Sequence, residues 1–148
     1  MDDLTLLYQQ MILDHSRNPR FFTKNEVCTK NTCYNPLCGD EISIYLQLEG
    51  ERIMQLSFQG KGCAICIASA SLMCETLQNR SVVEVQDTFK WFQALVSAAP
   101  APDNAIAIKK LEVLKGVSQY PMRVKCATCS WHALLDGIKV QKKEYVYV

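Results

Sequence analysis

Three cysteines stand where a thiolate can do chemistry. Cys38 is followed by Gly39 and Asp40, Cys63 follows Gly60-Lys61-Gly62, and Cys126 follows Lys125. Thiolates bind borderline-soft metals and attack sulfur. Gly39 gives the backbone the freedom to turn Cys38 and Asp40 toward one centre. Three thiolates and one carboxylate make a four-coordinate zinc set, with Zn–S near ~2.3 Å and Zn–O near ~2.0 to 2.2 Å. The carboxylate is the harder donor, so this set exchanges a ligand more readily than four thiolates. A divalent ion among four anions leaves the centre negative, and Arg123 and Lys125 beside Cys126 are placed to offset that charge, unless they are simply a solvated basic segment.

Other thiols leave other chemistries open. Cys66 and Cys129 complete Cys63-Ala64-Ile65-Cys66 and Cys126-Ala127-Thr128-Cys129. Two such C-x-x-C pairs suit a structural zinc module, and one pair suits a dithiol oxidoreductase. A structural knuckle prefers a tight turn to a helix start, and a dithiol motif prefers a βαβ setting that this chain lacks. Cys28 and Cys33 read as unassigned loop thiols and Cys74 as a small core residue. His15 reads as a helix-terminal surface residue, and His132 as packing or surface.

Composition narrows the class. With 148 residues and 49% apolar side chains the chain is large enough for one cored domain. Sixteen basic against fifteen acidic residues leave no positive excess for a phosphate backbone, so no nucleic-acid partner is expected. The Met1-Asp2-Asp3 start is acidic where a secretory leader is basic, and no apolar run reaches the ~20 residues of a membrane span. A reducing cytoplasm is the expected compartment, where clustered thiols serve metal or sulfur chemistry more often than disulfides.

The elements that must position these thiols follow from periodicity. Leu4, Leu7, Tyr8, Met11 and Ile12 predict an amphipathic helix, ended by Pro19. Residues 21–40 show no sustained period and read as a long loop. Alternation of Ile42, Ile44, Leu46 and Leu48, and then of Met54, Leu56 and Phe58, predicts an antiparallel hairpin. A helix follows from Cys63 to Gln78, and another from a capping box at Ser81-Val82-Val83-Glu84. A further helix is expected from Asp103 or Asn104 to Lys115, and a last one opening at Cys126 and burying Trp131, Leu134, Leu135 and Ile138. Cys63 and Cys126 would then both enjoy free N–H groups and the dipole of a helix start, which favour the thiolate. The order predicts an α+β fold in a single domain, with residues 139–148 left as an unplaced tail.

Taken together, Leu7-Tyr8, Asp14-His15, Asn18-Pro19-Arg20, Asn35-Pro36-Leu37-Cys38-Gly39-Asp40, Gly60-Lys61-Gly62-Cys63 and Arg123-Val124-Lys125-Cys126-Ala127-Thr128 with Trp131 resemble the SufU branch of the IscU/NifU/SufU family. The resemblance implies a small antiparallel sheet packed against helices and a zinc site at Cys38, Asp40, Cys63 and Cys126. It also implies a SufS-type cysteine desulfurase as partner, with Cys38 taking persulfide sulfur once a partner histidine displaces it from zinc. Lys125 stands where IscU-type scaffolds carry histidine, and the Cys63–Cys126 interval is long, as in SufU. The alternative is an IscU-like scaffold on which a [2Fe-2S] cluster is built. Phe21-Phe22 departs from the family's polar residue and glycine, and Cys66 and Cys129 replace residues that are typically not cysteine. Oligomeric state is not legible.

Overall fold

The computed structural model describes residues 3–146, with side chains as far as Lys142. The elements run α1 (Asp3–Arg17), β1 (Thr29–Asn35), β2 (Asp40–Glu49), β3 (Arg52–Lys61), α2 (Ala64–Leu77), α3 (Val82–Ser97), a 3-10 segment (Lys109–Gln119) and α4 (Pro121–Val146). The three strands form one antiparallel sheet in the order β1-β2-β3. The fold is α+β, as predicted.

The stretch expected to be one long loop contains β1. Residues Thr29 to Asn35 pair with Leu46 to Asp40, so the sheet has a strand that apolar alternation did not reveal. The β2–β3 hairpin also differs from simple alternation. Gln47 pairs with Gln55 but Leu48 pairs with Ile53, which leaves Met54 as the extra residue of a β-bulge. Ile53 is therefore buried beside Leu56 and Phe58, while Met54 is exposed.

Helix α2 is the central element. Cys66, Ala68 to Cys74 and Leu77 are all buried, a wider face than one stripe, because small residues let neighbours approach from several sides. The Ser81 capping box forms: Ser81 accepts from the Glu84 N–H, and the Glu84 side chain accepts from the Ser81 N–H. Trp131 of α4 stacks on Phe92 of α3 at 4.6 Å between ring centres and donates its indole N–H to Ser69 of α2, so three helices meet at one fully buried ring.

Two helix predictions need correction. Residues 103–108 are not helical, and the segment that follows is a 3-10 helix from Lys109 to Gln119 rather than an α-helix ending at Lys115. Helix α4 opens at Pro121, not at Cys126. Proline ends what precedes it but is also a favoured first helical residue, since its missing N–H would have had no partner there. The stretch left as a tail continues α4 to Val146, and residues 147–148 lie outside the described residues.

The first helix packs Tyr8, Met11 and Ile12 on the core but leaves Leu4 and Leu7 exposed. His15 is buried, not at the surface, and its Nδ1 lies 2.7 Å from Ser71 Oγ. His132 is exposed and meets Phe89 edge-on. Phe22, at the departure from the family pattern, packs edge-on against Phe58 at 5.2 Å, and the Phe21 carbonyl accepts from the Phe58 N–H.

Candidate metal centre

The β1–β2 turn, the start of α2 and the second turn of α4 converge. Asn35 and Asp40 are cross-strand partners, so residues 36–39 form a tight excursion that presents Cys38. Gly39 adopts φ +69° within it, a conformation that costs glycine nothing and other residues energy. The ligand atoms of Cys38, Asp40 and Cys126 all lie within 4.8 Å of one another. Donors on a tetrahedral zinc with ~2.3 Å bonds to sulfur stand roughly 3.8 Å apart, so this group closes on a cation with small movements. Cys63 is outside that close group but borders it through Asp40, whose carboxylate accepts its backbone N–H.

Asp40 is the organising residue. It is buried, and both its oxygens are engaged: Oδ1 accepts from the Cys63 backbone N–H at 2.9 Å, and Oδ2 accepts from Asn35 Nδ2 at 3.1 Å. Asn35 Nδ2 also reaches Cys126 Sγ at 3.5 Å. A buried carboxylate among thiols, with no buried cation among the described residues, is costly unless a positive charge joins it. The donor set is therefore one that fits a thiophilic divalent metal.

Arg123 supplies charge from outside. It lies one helical turn before Cys126 on the same face, and its Nη1 is 3.8 Å from Cys38 Sγ. Hydrogen bonding to Cys126 and the negative potential of Cys63 and Cys38 push its pKa up. Lys125, offset around the helix from Cys126, is exposed, and among the described residues its side chain makes no hydrogen bond or ion pair to the four. Of the two basic residues expected at the site, the geometry joins only Arg123 to it.

Cys126 sits in the second turn of α4, so it lacks the free N–H groups of a helix start. Burial, then hydrogen bonding with Cys38, Asp40 and Cys63, raises its thiol pKa, the opposite of the expected helix-start effect. In the metal-free cluster the Cys126 thiol therefore keeps its proton, and a bound cation would release it. Cys63 does stand at a helix start, as the N-cap of α2, with no side-chain cap of its own.

Neither C-x-x-C pair is joined within itself. Cys129 is bonded to Cys33, 96 residues away, with Cα atoms 5.7 Å apart, within the usual span of a disulfide. Cys33, expected as an unassigned loop thiol, is thus a strand residue bonded to Cys129. Cys66 is free and buried. Cys74 is free and buried as expected, and Cys28 is free and part-exposed. The sequence reading missed Asn35 as a functional residue, although it begins the Asn35-Pro36-Leu37-Cys38-Gly39-Asp40 motif.

Comparison with known proteins agrees with this architecture. The NifU-like N-terminal domain matches residues 7–127. The zinc-dependent sulfurtransferase SufU of Bacillus subtilis is 36% identical over 139 residues, covering 92% of both chains. The iron-sulfur cluster assembly scaffold protein IscU of Streptococcus pyogenes is 31% identical, covering 94% of this chain and 87% of its own. Among solved structures, a putative iron-sulfur cluster assembly scaffold protein for the SUF system from Fervidobacterium islandicum superposes with a TM-score of 0.79 at 29% identity, over 87% of this chain and 94% of that one.

Proposed function

The chain belongs to the NifU-like N-terminal domain family, the IscU and SufU proteins of iron-sulfur cluster assembly, and from that membership we propose that it is a zinc-dependent sulfur acceptor served by a SufS-type cysteine desulfurase. The observation that carries this reading is the buried Asp40, held through both oxygens and converging with Cys38 and Cys126. Cys38, Asp40, Cys63 and Cys126 would hold the zinc, which when bound supplies the positive charge that keeps the three thiols deprotonated.

Cys38 is the acceptor in this reading. It is part-exposed on a turn, whereas Cys126 is buried in a helix. Its thiolate attacks the outer sulfur of the desulfurase persulfide, forming a new S–S bond as the bond to the partner cysteine breaks and that cysteine leaves as thiolate. Arg123 beside Cys38 stabilises the anionic sulfur before and after transfer. Tyr34, Leu37, Tyr120 and Met122 are exposed large side chains on the segments that carry the site, an apolar rim suited to a protein partner. Among the described residues no helix is long and apolar enough to cross a membrane, which fits action in the cytoplasm.

The test is metal content together with sulfur transfer. Protein purified without reconstitution should carry about one zinc per chain, loosened or lost in Asp40→Ala. Cys38→Ser should fail to gain a sulfur when incubated with desulfurase and cysteine. Iron with a coloured cluster would favour a scaffold on which the cluster is built. Zinc held equally well without Asp40, or a Cys38→Ser protein that accepts sulfur at full rate, would overturn the proposal.

A further inference from the structure

The bond between Cys33 and Cys129 lies beside the candidate metal centre. Cys33 stands two residues before Asn35 on β1, so both side chains leave the same face of the strand. Cys129 stands three residues after Cys126 on α4, one turn further along the same side of the helix. The bond therefore repeats, one step along, the contact in which Asn35 Nδ2 reaches Cys126 Sγ at 3.5 Å. That same amide holds Asp40 Oδ2. Strand and helix each carry one bridge cysteine next to one residue of the centre.

We propose that this bridge is a redox modification site that clamps the centre, holding α4 against the β1–β2 turn when oxidised and letting zinc leave faster once a dithiol reductant has opened it. This rests on the proposed zinc-dependent function. Arg123 and Cys126 lie between the helix start at Pro121 and Cys129, so the covalent tie stands directly behind the part of α4 that completes the site. Other ties from β1 to α4, Asn31 against Gly137 and Thr29 to Gln141, lie roughly two and three turns further along the helix. Opening the bridge removes the covalent tie at the centre and leaves the long Asn35–Cys126 hydrogen bond in its place.

The two sulfurs are unequally open to attack. Cys33 is half-buried, whereas Cys129 is buried. A thiolate of the reductant therefore attacks the Cys33 sulfur, the S–S bond breaks, and Cys129 leaves as a thiolate that takes up a proton. The reductant's second thiolate then attacks the reductant sulfur now joined to Cys33, closing its own disulfide and releasing Cys33 as a thiol. The bridge gains two electrons and two protons, and the dithiol loses the same number. Where thiols are kept reduced, disulfides are of this transient, redox-sensing kind.

Zinc release reads the state of the clamp. Zinc-loaded wild type is mixed with the chelator pyridylazoresorcinol before and after treatment with a phosphine reductant, which does not compete for zinc as dithiols do. A thiol count confirms that the bridge has opened, and circular dichroism follows the fold. Release should be about 10-fold faster after reduction, the effect of losing a group that orients a metal's ligands. Cys33→Ser/Cys129→Ser should release zinc at the faster rate with or without the phosphine. Equal rates before and after reduction, a bridge that opens only in denatured chain, or loss of the helical signal on reduction would each overturn the clamp while the zinc-dependent function stands. If wild type holds no zinc in either redox state, both fail together.

Discussion

Asn35 and Asp40 face each other across the last rung of the β1–β2 ladder and are also joined side chain to side chain, Nδ2 to Oδ2, at 3.1 Å. The backbone pairing closes the turn that carries Cys38. The side-chain bond aims the carboxylate, and the same amide reaches Cys126 Sγ. One neutral residue thereby ties the strand, the turn and the helix of the centre together, much as outer partners orient the ligands of other metal sites.

Asn35→Ala should therefore weaken zinc binding by about 10- to 100-fold without abolishing it. Leaving a carboxylate oxygen unpaired in a buried place should also cost about 1–3 kcal/mol of stability. Competition with a chelator measures the first and denaturant unfolding the second. Wild-type affinity in Asn35→Ala would show that Asp40 is held without it.

The four proposed ligands were legible because each sits in a short local motif, but their support was not. Strand β1 also turns one face inward. Its inward residues, however, are Thr29, Asn31, Cys33 and Asn35, polar or small where a hydrophobic pattern looks for Ile or Leu. They face α4 through specific contacts: Gln141 donates to Thr29 Oγ1, Gly137 approaches Asn31, Cys129 bonds Cys33, and Cys126 meets Asn35. Every one of these pairs is far apart in sequence, so no local spacing announces it. The bulge at Met54 was hidden for a similar reason, since a break in alternation shows only once the partner strand is known. Pro121 misled because proline punctuates both the end of one helix and the start of the next.

Gly62→Ala should damage the centre out of proportion to its size. The added methyl would stand 2.6 Å from Asp40 Oδ1, closer than the oxygen can tolerate, so the carboxylate must turn away from the cluster. About 1–3 kcal/mol of destabilisation is expected from the crowding, together with weakened zinc retention. Gly116→Ala, where the methyl meets nothing within 4 Å, is the control and should leave metal content unchanged. Equal metal content in both variants would refute the crowding argument.

The bond between Cys33 and Cys129 predicts a thiol count. Of the eight cysteines, six are free, so denatured but unreduced apoprotein should titrate with six equivalents of a thiol reagent, rising to eight after reduction. The bridge closes a long loop, and constraining the unfolded chain over such a span is worth about 2–4 kcal/mol in typical proteins. Reduction, or Cys33→Ser with Cys129→Ser, should lower the unfolding free energy by that order. Eight equivalents before reduction would mean that the two thiols only touch.

His15 should make stability fall in mild acid. Burial is the main cause that lowers its pKa, with the nearby Arg20 and Lys110 charges adding to it and Glu75 and Asp14 opposing. The folded state holds the neutral ring, whose Nδ1 meets Ser71 Oγ at 2.7 Å, while the unfolded chain takes up a proton at the ordinary histidine pKa. The unfolded state thus binds more protons in the window between the two values. The stabilisation from His15 is complete above about pH 6.5, the unfolded pKa, and is lost as pH drops through the lower folded value. Thermal unfolding followed from neutral pH into mild acid should show this decline, and His15→Asn, which keeps a hydrogen-bonding side chain for Ser71 but does not titrate, should have a flatter profile. The Arg20–Asp14 and Lys110–Glu75 ion pairs around it are present in both proteins, so the difference between the two profiles isolates the ring. Identical slopes would assign the acid sensitivity to the carboxylates instead.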